Sequence, residues 1–360
     1  MFIFMKIKNK FWISSLVVVG LFCLNTSSCK KNDIIEKEDP LKVITLTPPT
    51  DKIPYEALVN GKILFYRTDY TTGEISINMI DVDKKRTSAF KLNSLMLQPS
   101  ISPDGSKIAF SLFTNVTTAY DVYIMNSDGS DSYLVYQSEY QDRYPSWTFD
   151  GSKILVFSAS LYGPLYIQSP VENSTDRIEV IKFSYDDDLD WRIEPSGGFS
   201  ISPDQKLVCS NLINQIRGLL TIEPYVGKSG ASLLLPTPTN QHFESPAFSP
   251  DGSKIAFLVV ETDPSVYGWN AVVVKTINPD RSNLTELIRV KPFKTPIDWM
   301  HYNRVCDVSL CWSPDGKKIM FTFPTEENGC HLFVINSDGT GLTQVTNNNQ
   351  AYDADVSWSR

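Results

Sequence analysis

The chain carries little material for catalysis. His242, His301 and His331 are its whole imidazole supply in 360 residues, and their spacing fits no metal-ligand motif. Asp186-Asp187-Asp188-Leu189-Asp190 offers carboxylate oxygens of the kind Ca²⁺ takes. Adjacent residues rarely aim at one ion, however, and the calcium-loop spacing with its Gly and closing Glu is absent, so the run reads as a solvated loop. No G-x-S-x-G nucleophile elbow occurs, and no P-loop or dinucleotide glycine pattern occurs. No C-x-x-C occurs, which leaves zinc and thioredoxin chemistry without support. No cofactor is expected. Asp104, Asp150, Asp204, Asp251 and Asp315 recur at spacings of 46, 54, 47 and 64 residues. Each sits in a tight turn, so they are assigned to structure. Trp147, Trp312 and Trp358 fall at equivalent places and read as core.

Composition narrows the classes further. Hydrophobic residues make up 42%, aromatics 12% and charged residues 21%, which excludes disorder over most of the length. The net charge is −8. Without Lys6, Lys8 and Lys10 the balance is 30 basic against 41 acidic residues, or −11. Nucleic-acid binding needs a basic footprint, and so does an electrostatic hold on anionic lipid. Neither is expected.

Those three lysines precede an apolar run from Phe11 to Leu24, and small polar residues follow. This is the order of a secretory signal, and the run is shorter than the roughly 20 residues of a membrane-spanning helix. The leader ends Thr26-Ser27-Ser28-Cys29, which resembles a bacterial lipoprotein signal, with Cys29 as the acylated residue. The charged stretch Lys30-Lys31-Asn32-Asp33 onward resembles the tethers of Bacteroidota lipoproteins, and the prolines at 40, 48, 49 and 54 predict an extended linker. The expected organisation is a signal peptide over 1–28, an acylated Cys and flexible tether over 29–55, and a folded domain over 56–360.

The folded part is built from a repeated phrase. Ser102-Pro103-Asp104-Gly105-Ser106-Lys107-Ile108-Ala109-Phe110 returns as Ser249-Pro250-Asp251-Gly252-Ser253-Lys254-Ile255-Ala256-Phe257, with variants at 148–156, 202–208 and 313–321. Pro pre-sets φ for a turn, Asp suits the next place, and Gly takes the positive φ of a three-residue hairpin with a bulge. The leading Ser can bond nearby amides. A third strand follows, such as Asp121-Val122-Tyr123-Ile124-Met125, and then a second turn and a fourth strand. Four short strands per unit of about 50 residues describe a β-propeller blade.

The phrase Trp312-Ser313-Pro314-Asp315-Gly316 and its copies resemble the repeats of TolB-like β-propellers, over roughly residues 56–360. The resemblance implies an all-β fold. Residues 62–67 look like a second strand without a turn phrase, and 355–360 like a first strand without a following blade. The expectation is therefore a six-bladed β-propeller of four-stranded antiparallel blades, closed by the C-terminal strand. Closure also removes exposed sheet edges. In such a blade Cys306 and Cys330 lie at the same end. Their strands start about 10 Å apart if extended, and a disulfide needs Cα atoms within about 7 Å, so the loops would have to converge.

The resemblance carries two functional implications. One is a non-catalytic cell-envelope lipoprotein, a monomer held to the membrane by its N-terminal lipid alone. It would sit in the outer membrane, facing periplasm or surface, and bind an envelope protein or glycan. TolB-like proteins of the Tol-Pal system bind partners in this way, but they carry an additional α/β domain for which residues 30–55 leave no room. The other is a saccharide-active enzyme, a lyase or glycosidase, since the related oligogalacturonate lyases hold a metal through His. Hydrolysis would require carboxylates about 5–9.5 Å apart. Binding is the reading preferred. Strand alternation places the links after second and fourth strands on one face, and these links vary most in length. Variable loops on a rigid scaffold usually carry function, and aromatic and Arg side chains are the common anchors. The candidate partner-binding residues are Trp191, Arg192, Tyr267, Trp269, Trp299, His301, Tyr302 and Arg304.

Overall fold

The computed structural model describes residues 39–47, 50–94, 96–114, 119–138, 141–159, 165–172, 176–181, 199–213, 216–223, 230–262, 269–290, 308–325 and 330–359. Apart from one 3₁₀ turn, Tyr55–Ala57, every regular element among them is a strand. The first group comprises β1 (Val43–Leu46), β2 (Lys62–Asp69), β3 (Ile75–Asp81) and β4 (Arg86–Leu92). The second is β5 (Met96–Ile101), β6 (Lys107–Thr114), β7 (Ala119–Asn126) and β8 (Tyr133–Tyr136). The third is β9 (Gln141–Trp147), β10 (Ile154–Ala159), β11 (Leu165–Gln168) and β12 (Arg177–Ile181). The fourth is β13 (Phe199–Ile201), β14 (Leu207–Ile213), β15 (Ile216–Glu223) and β16 (Gly230–Pro236). The fifth is β17 (Gln241–Phe248), β18 (Ile255–Thr262), β19 (Trp269–Ile277) and β20 (Thr285–Val290). The sixth is β21 (Leu310–Trp312), β22 (Lys318–Pro324), β23 (Cys330–Asn336) and β24 (Thr343–Gln344), after which comes β25 (Ala351–Trp358).

Groups two to five are each a four-stranded antiparallel sheet with neighbours in chain order. The first group departs from that plan at both edges. On its inner side β25 pairs antiparallel with β2, Ile63 opposite Trp358 and Asp69 opposite Ala351. On its outer side β1 pairs with β4, Val43 opposite Leu92. Val43–Leu46 falls in the stretch expected to be linker, yet it is sheet. A single parallel bridge between Cys330 and Tyr352 connects this sheet to the sixth group.

The second strand of each repeat is apolar without alternation because it is buried on both faces. In β18, Ala256, Leu258 and Val260 pack toward the sixth group, while Ile255, Phe257 and Val259 pack toward the fourth. The same interleaving joins the first group to the second, the second to the third, and the sixth to the first. Phe157 and Phe199, ring centroids 5.8 Å apart, link the third to the fourth. Burial decays outward: every residue of the fourth strand β20 is at least partly exposed.

The repeated phrase makes the turns. Ser249 Oγ donates to Asp251 Oδ1 at 2.6 Å and accepts from Lys254 N at 2.9 Å, and Gly252 N donates to Ser249 O at 2.8 Å. Gly252 has φ 73°, a conformation that costs a side chain roughly 1–2 kcal/mol. Ser249 N donates to Lys254 O, so four residues lie between the paired ones, not the three expected. The loop with three is the variant Ser202-Pro203-Asp204-Gln205-Lys206, where Ser202 N donates to Lys206 O and Gln205 takes φ 65° in place of Gly. The extra residue elsewhere is used: Ser253 N and Oγ both donate to Asp251. Hydrogen bonds from Ser249 and Ser253 hold the Asp251 carboxyl below the usual carboxylate range.

A buried ionic cluster ties the chain ends together. Arg67 donates from Nε and Nη2 to Asp353 at 2.5 and 2.8 Å, and from Nη1 to Asp51 at 2.6 Å. Thr346 Oγ1 adds a bond to Asp353 at 2.6 Å, and Asn347 N one to Asp51 at 2.7 Å. Buried His331 lies with Nδ1 3.9 Å from Asp353. Burial alone would push the Asp353 carboxyl up. The Arg67 guanidinium outweighs it and holds the carboxyl below the usual range.

Cys209 and Cys311 carry free thiols, and burial pushes that of Cys209 up to about 12. Cys306, one end of the bridge considered above, lies outside the described residues.

Candidate functional site

The innermost strands line one cavity of about 610 Å³, to which β5, β9, β13, β17, β21 and β25 all contribute. A local irregularity gives it its lining. Gln98, Tyr144, Ser245 and Asp355 have φ of 53°, 56°, 47° and 50°. In each case the strand's register with its neighbour shifts at that point. These are β-bulges, which bend a strand and re-aim a side chain. Pro or Val follows each one, as Pro99, Pro145, Pro246 and Val356. A non-Gly residue at positive φ is uncommon, and here the same departure recurs at one register in four strands. All four bulge residues border the cavity.

Hydrogen bonds between neighbouring groups hold these strands in place. Tyr144 N donates to Gln98 Oε1 at 3.0 Å, and Ser245 Oγ donates to Val308 O at 2.8 Å. Val356 N donates to Ser309 Oγ at 3.0 Å. The tryptophans read as core are buried, and their indoles bond to neighbouring carbonyls: Trp147 Nε1 to Ser100 O and Trp312 Nε1 to Ala247 O, each at 3.0 Å, and Trp358 Nε1 to Asn60 O at 3.2 Å. Their flanks also border the cavity. The polar lining consists of amide, hydroxyl and carboxylate groups with His242, a set suited to hydrogen bonding. Among the described residues no three His, Cys, Asp or Glu side chains are grouped to hold a metal ion.

The two described histidines are apart in role and place. His242 borders the cavity from within β17, whereas His331 is buried beside Asp353. His301 lies outside the described residues, as do Cys29, Trp191, Arg192, Tyr267, Trp299, Tyr302, Arg304 and the run Asp186–Asp190. Trp269 opens β19, its backbone opposite Thr262. The links that hold the candidate partner residues leave from the ends of β12, β18 and β20, that is, after third-group, fifth-group and fifth-group strands in second or fourth place. Thr262, where the 263–268 link departs, borders the cavity. Sequence reasoning missed the bulge residues. The signal available for them was the Pro that follows three of the four.

No family model matches the sequence, and no curated protein matches it. Solved structures do match. TolB from Acinetobacter baumannii superposes with a TM-score of 0.61 at 16% identity, over 83% of this chain and 66% of that one. Hydrazine synthase from Kuenenia stuttgartiensis superposes with a TM-score of 0.55 at 11% identity, over 85% of this chain and 47% of that one. This chain thus spans just under two thirds of the TolB chain it matches. Among the described residues no helix is long and apolar enough to cross a membrane. Likeness at such identities is likeness of fold: with antiparallel sheets packed around one cavity, the chain has a β-propeller fold similar to that of TolB.

Proposed function

We propose that this chain is a non-catalytic cell-envelope lipoprotein, acylated at Cys29 and held at the outer membrane, whose propeller binds a protein or glycan partner. In this reading the propeller has six blades, closed by β25 as the innermost strand of the first. The pairing of β25 with β2 supports closure, and the packing of the sixth group on the first supports the count. The observation that carries the binding role is the cavity itself. Bulged inner strands present amide, hydroxyl and carboxylate groups to it, and it reaches Thr262, at the side where the long links depart. A concave site with a few convergent polar groups is the usual form of a recognition site. The partner face is that of Trp191, Arg192, Tyr267, Trp269, Trp299, His301, Tyr302 and Arg304.

The test is binding of purified protein to envelope extract and to an array of envelope glycans. Trp299→Ala, Tyr302→Ala and Arg304→Ala are each expected to weaken binding at least tenfold, as anchor residues do. Asp104→Ala and Lys153→Ala, on the turn side, are expected to leave it unchanged. Loss confined to the turn-side variants, with the fold intact, would put the site on the wrong face.

A further inference from the structure

The point where the chain enters the fold lies among the links. β1 runs against β4, with Val43 opposite Leu92 and Leu46 opposite Ala89, so the chain comes into β1 at the end where β4 leaves. Asn93, just after β4, donates from Nδ2 to Asp39 O at 3.0 Å. Lys42 N donates to the same carbonyl at 3.1 Å, and Leu41 N donates to Asp39 Oδ1 at 3.0 Å. Three hydrogen bonds thus fix the entry point.

The side of the fold is fixed as well. β2, β3 and β4 pair antiparallel in turn, so β2 and β4 end on one side. Thr72 and Gly73, in the link after β2, border a pocket of about 530 Å³ together with Asn93, and Ile44, Ile75 and Ile77 line it too. Ser94 Oγ donates to Phe113 O near the end of β6, the second-place strand of the next group, at 2.6 Å. Asp39 therefore sits on the side of second- and fourth-strand ends, from which the links of the candidate partner residues also depart.

Distance gives this placement a consequence. Ten residues separate Cys29 from Asp39. Such a chain spans at most about 35 Å fully extended and about 17 Å as a flexible coil. The eight residues of β2 rise about 25 Å from one side of the sheet to the other. With the link side toward the lipid, the coil dimension suffices. With the turn side toward the lipid, the chain would first have to run the height of a sheet, which takes it close to its full extension.

This reading rests on acylation at Cys29. We propose that the tether turns the partner face toward the membrane that holds the lipid, and that the partner is an integral protein of that membrane. A face held so close meets what protrudes from the bilayer before it meets anything soluble. The bilayer surface itself gives no attraction. Outside the leader the chain has 30 basic and 41 acidic residues, so anionic headgroups and phosphorylated glycolipids are repelled. A protein loop carries no such penalty, and the apolar floor of Ile44, Ile75 and Ile77 suits an apolar side chain on it.

Thr72 on the link side and Lys317 in a turn are both exposed, and each can be replaced by a fluorescent or a photoreactive residue. Lipidated full-length protein would be placed in phosphatidylethanolamine–phosphatidylglycerol vesicles that carry an acceptor dye on the headgroup. Energy transfer is expected to be stronger from position 72 than from 317. Twenty Gly/Ser residues inserted between Lys37 and Glu38 are expected to shrink that difference. In intact cells the photoreactive residue at 72, and not at 317, is expected to join a protein that stays in the membrane through an alkaline carbonate wash. Palmitate label is read on the same preparations. Its absence would remove the anchor and the proposal with it, whereas label present with stronger transfer from 317 would overturn the orientation alone. A difference that survives the longer tether would make the bilayer the partner, and crosslinks from 72 only to glycolipid or to a soluble protein would likewise overturn the proposal.

Discussion

Arg67 shows how much one side chain can bear at the residue scale. It is buried with Asp353 and Asp51, and each of these is fixed by a further bond from the segment that follows β24. Removing one member of such a set strands a charge in a low-dielectric interior. Arg67→Met is therefore expected to cost about 3–5 kcal/mol in denaturant unfolding, far more than the loss of an exposed pair such as Lys153 with Asp176. The pH dependence follows from the sign of the Asp353 shift. Its folded value lies below its unfolded one. Its contribution is complete above the ordinary carboxylate range, near pH 4, and disappears as pH falls through the depressed folded value. Asp353→Asn should remove that portion of the acid sensitivity, read as a shallower loss of stability below pH 4. An unchanged acid limb would assign the sensitivity to other carboxylates.

At the scale of elements, β25 joins what the chain order separates. It supplies the innermost strand beside β2 and carries Asp353, the bulge at Asp355 and the buried Trp358. Deleting 355–360 would bare the inner edge of β2 at Ile63 and Leu64 and take Val356 and Trp358 from the core they share with Ile63, Phe65 and Val345. An unpaired apolar edge is an aggregation template. The truncated protein is expected to aggregate or to lose its cooperative melt by circular dichroism. A melt like that of the full chain would refute closure by this strand. The outer edge makes the complementary point: β1 covers β4 with four paired residues, so the first sheet gains a strand that the repeat does not encode.

Across the whole molecule, an acidic chain with no described membrane-spanning helix has one proposed hold on the membrane, the lipid on Cys29. A single acyl chain binds only marginally, and stable anchoring takes more than one, as the signal at Thr26-Ser27-Ser28-Cys29 would provide. Radiolabelled palmitate is expected to enter the wild type and not Cys29→Ala, and the variant is expected to move from the membrane fraction to the soluble one. Label retained in Cys29→Ala would remove Cys29 as the site.

The hairpins, the apolar second strands and the propeller class were legible in the chain because their causes are local. Ser249, Asp251, Gly252 and Lys254 close a turn within six residues, and any copy of the phrase does the same. Tertiary structure alone decided the rest. Val43–Leu46 becomes a strand because β4 offers it an open edge, not because of its own pattern. The loop length at Ser202 was set by one missing residue, visible in sequence but silent until the pairing was known. The bulges at Gln98, Tyr144, Ser245 and Asp355 were marked only by a following Pro. Which way they aim depends on strands from neighbouring groups. Asp353 meets Arg67 across 286 positions. Sequence spacing carries hydrogen bonds that close over a few residues, but a buried charge acquires its partner only when distant strands are brought side by side.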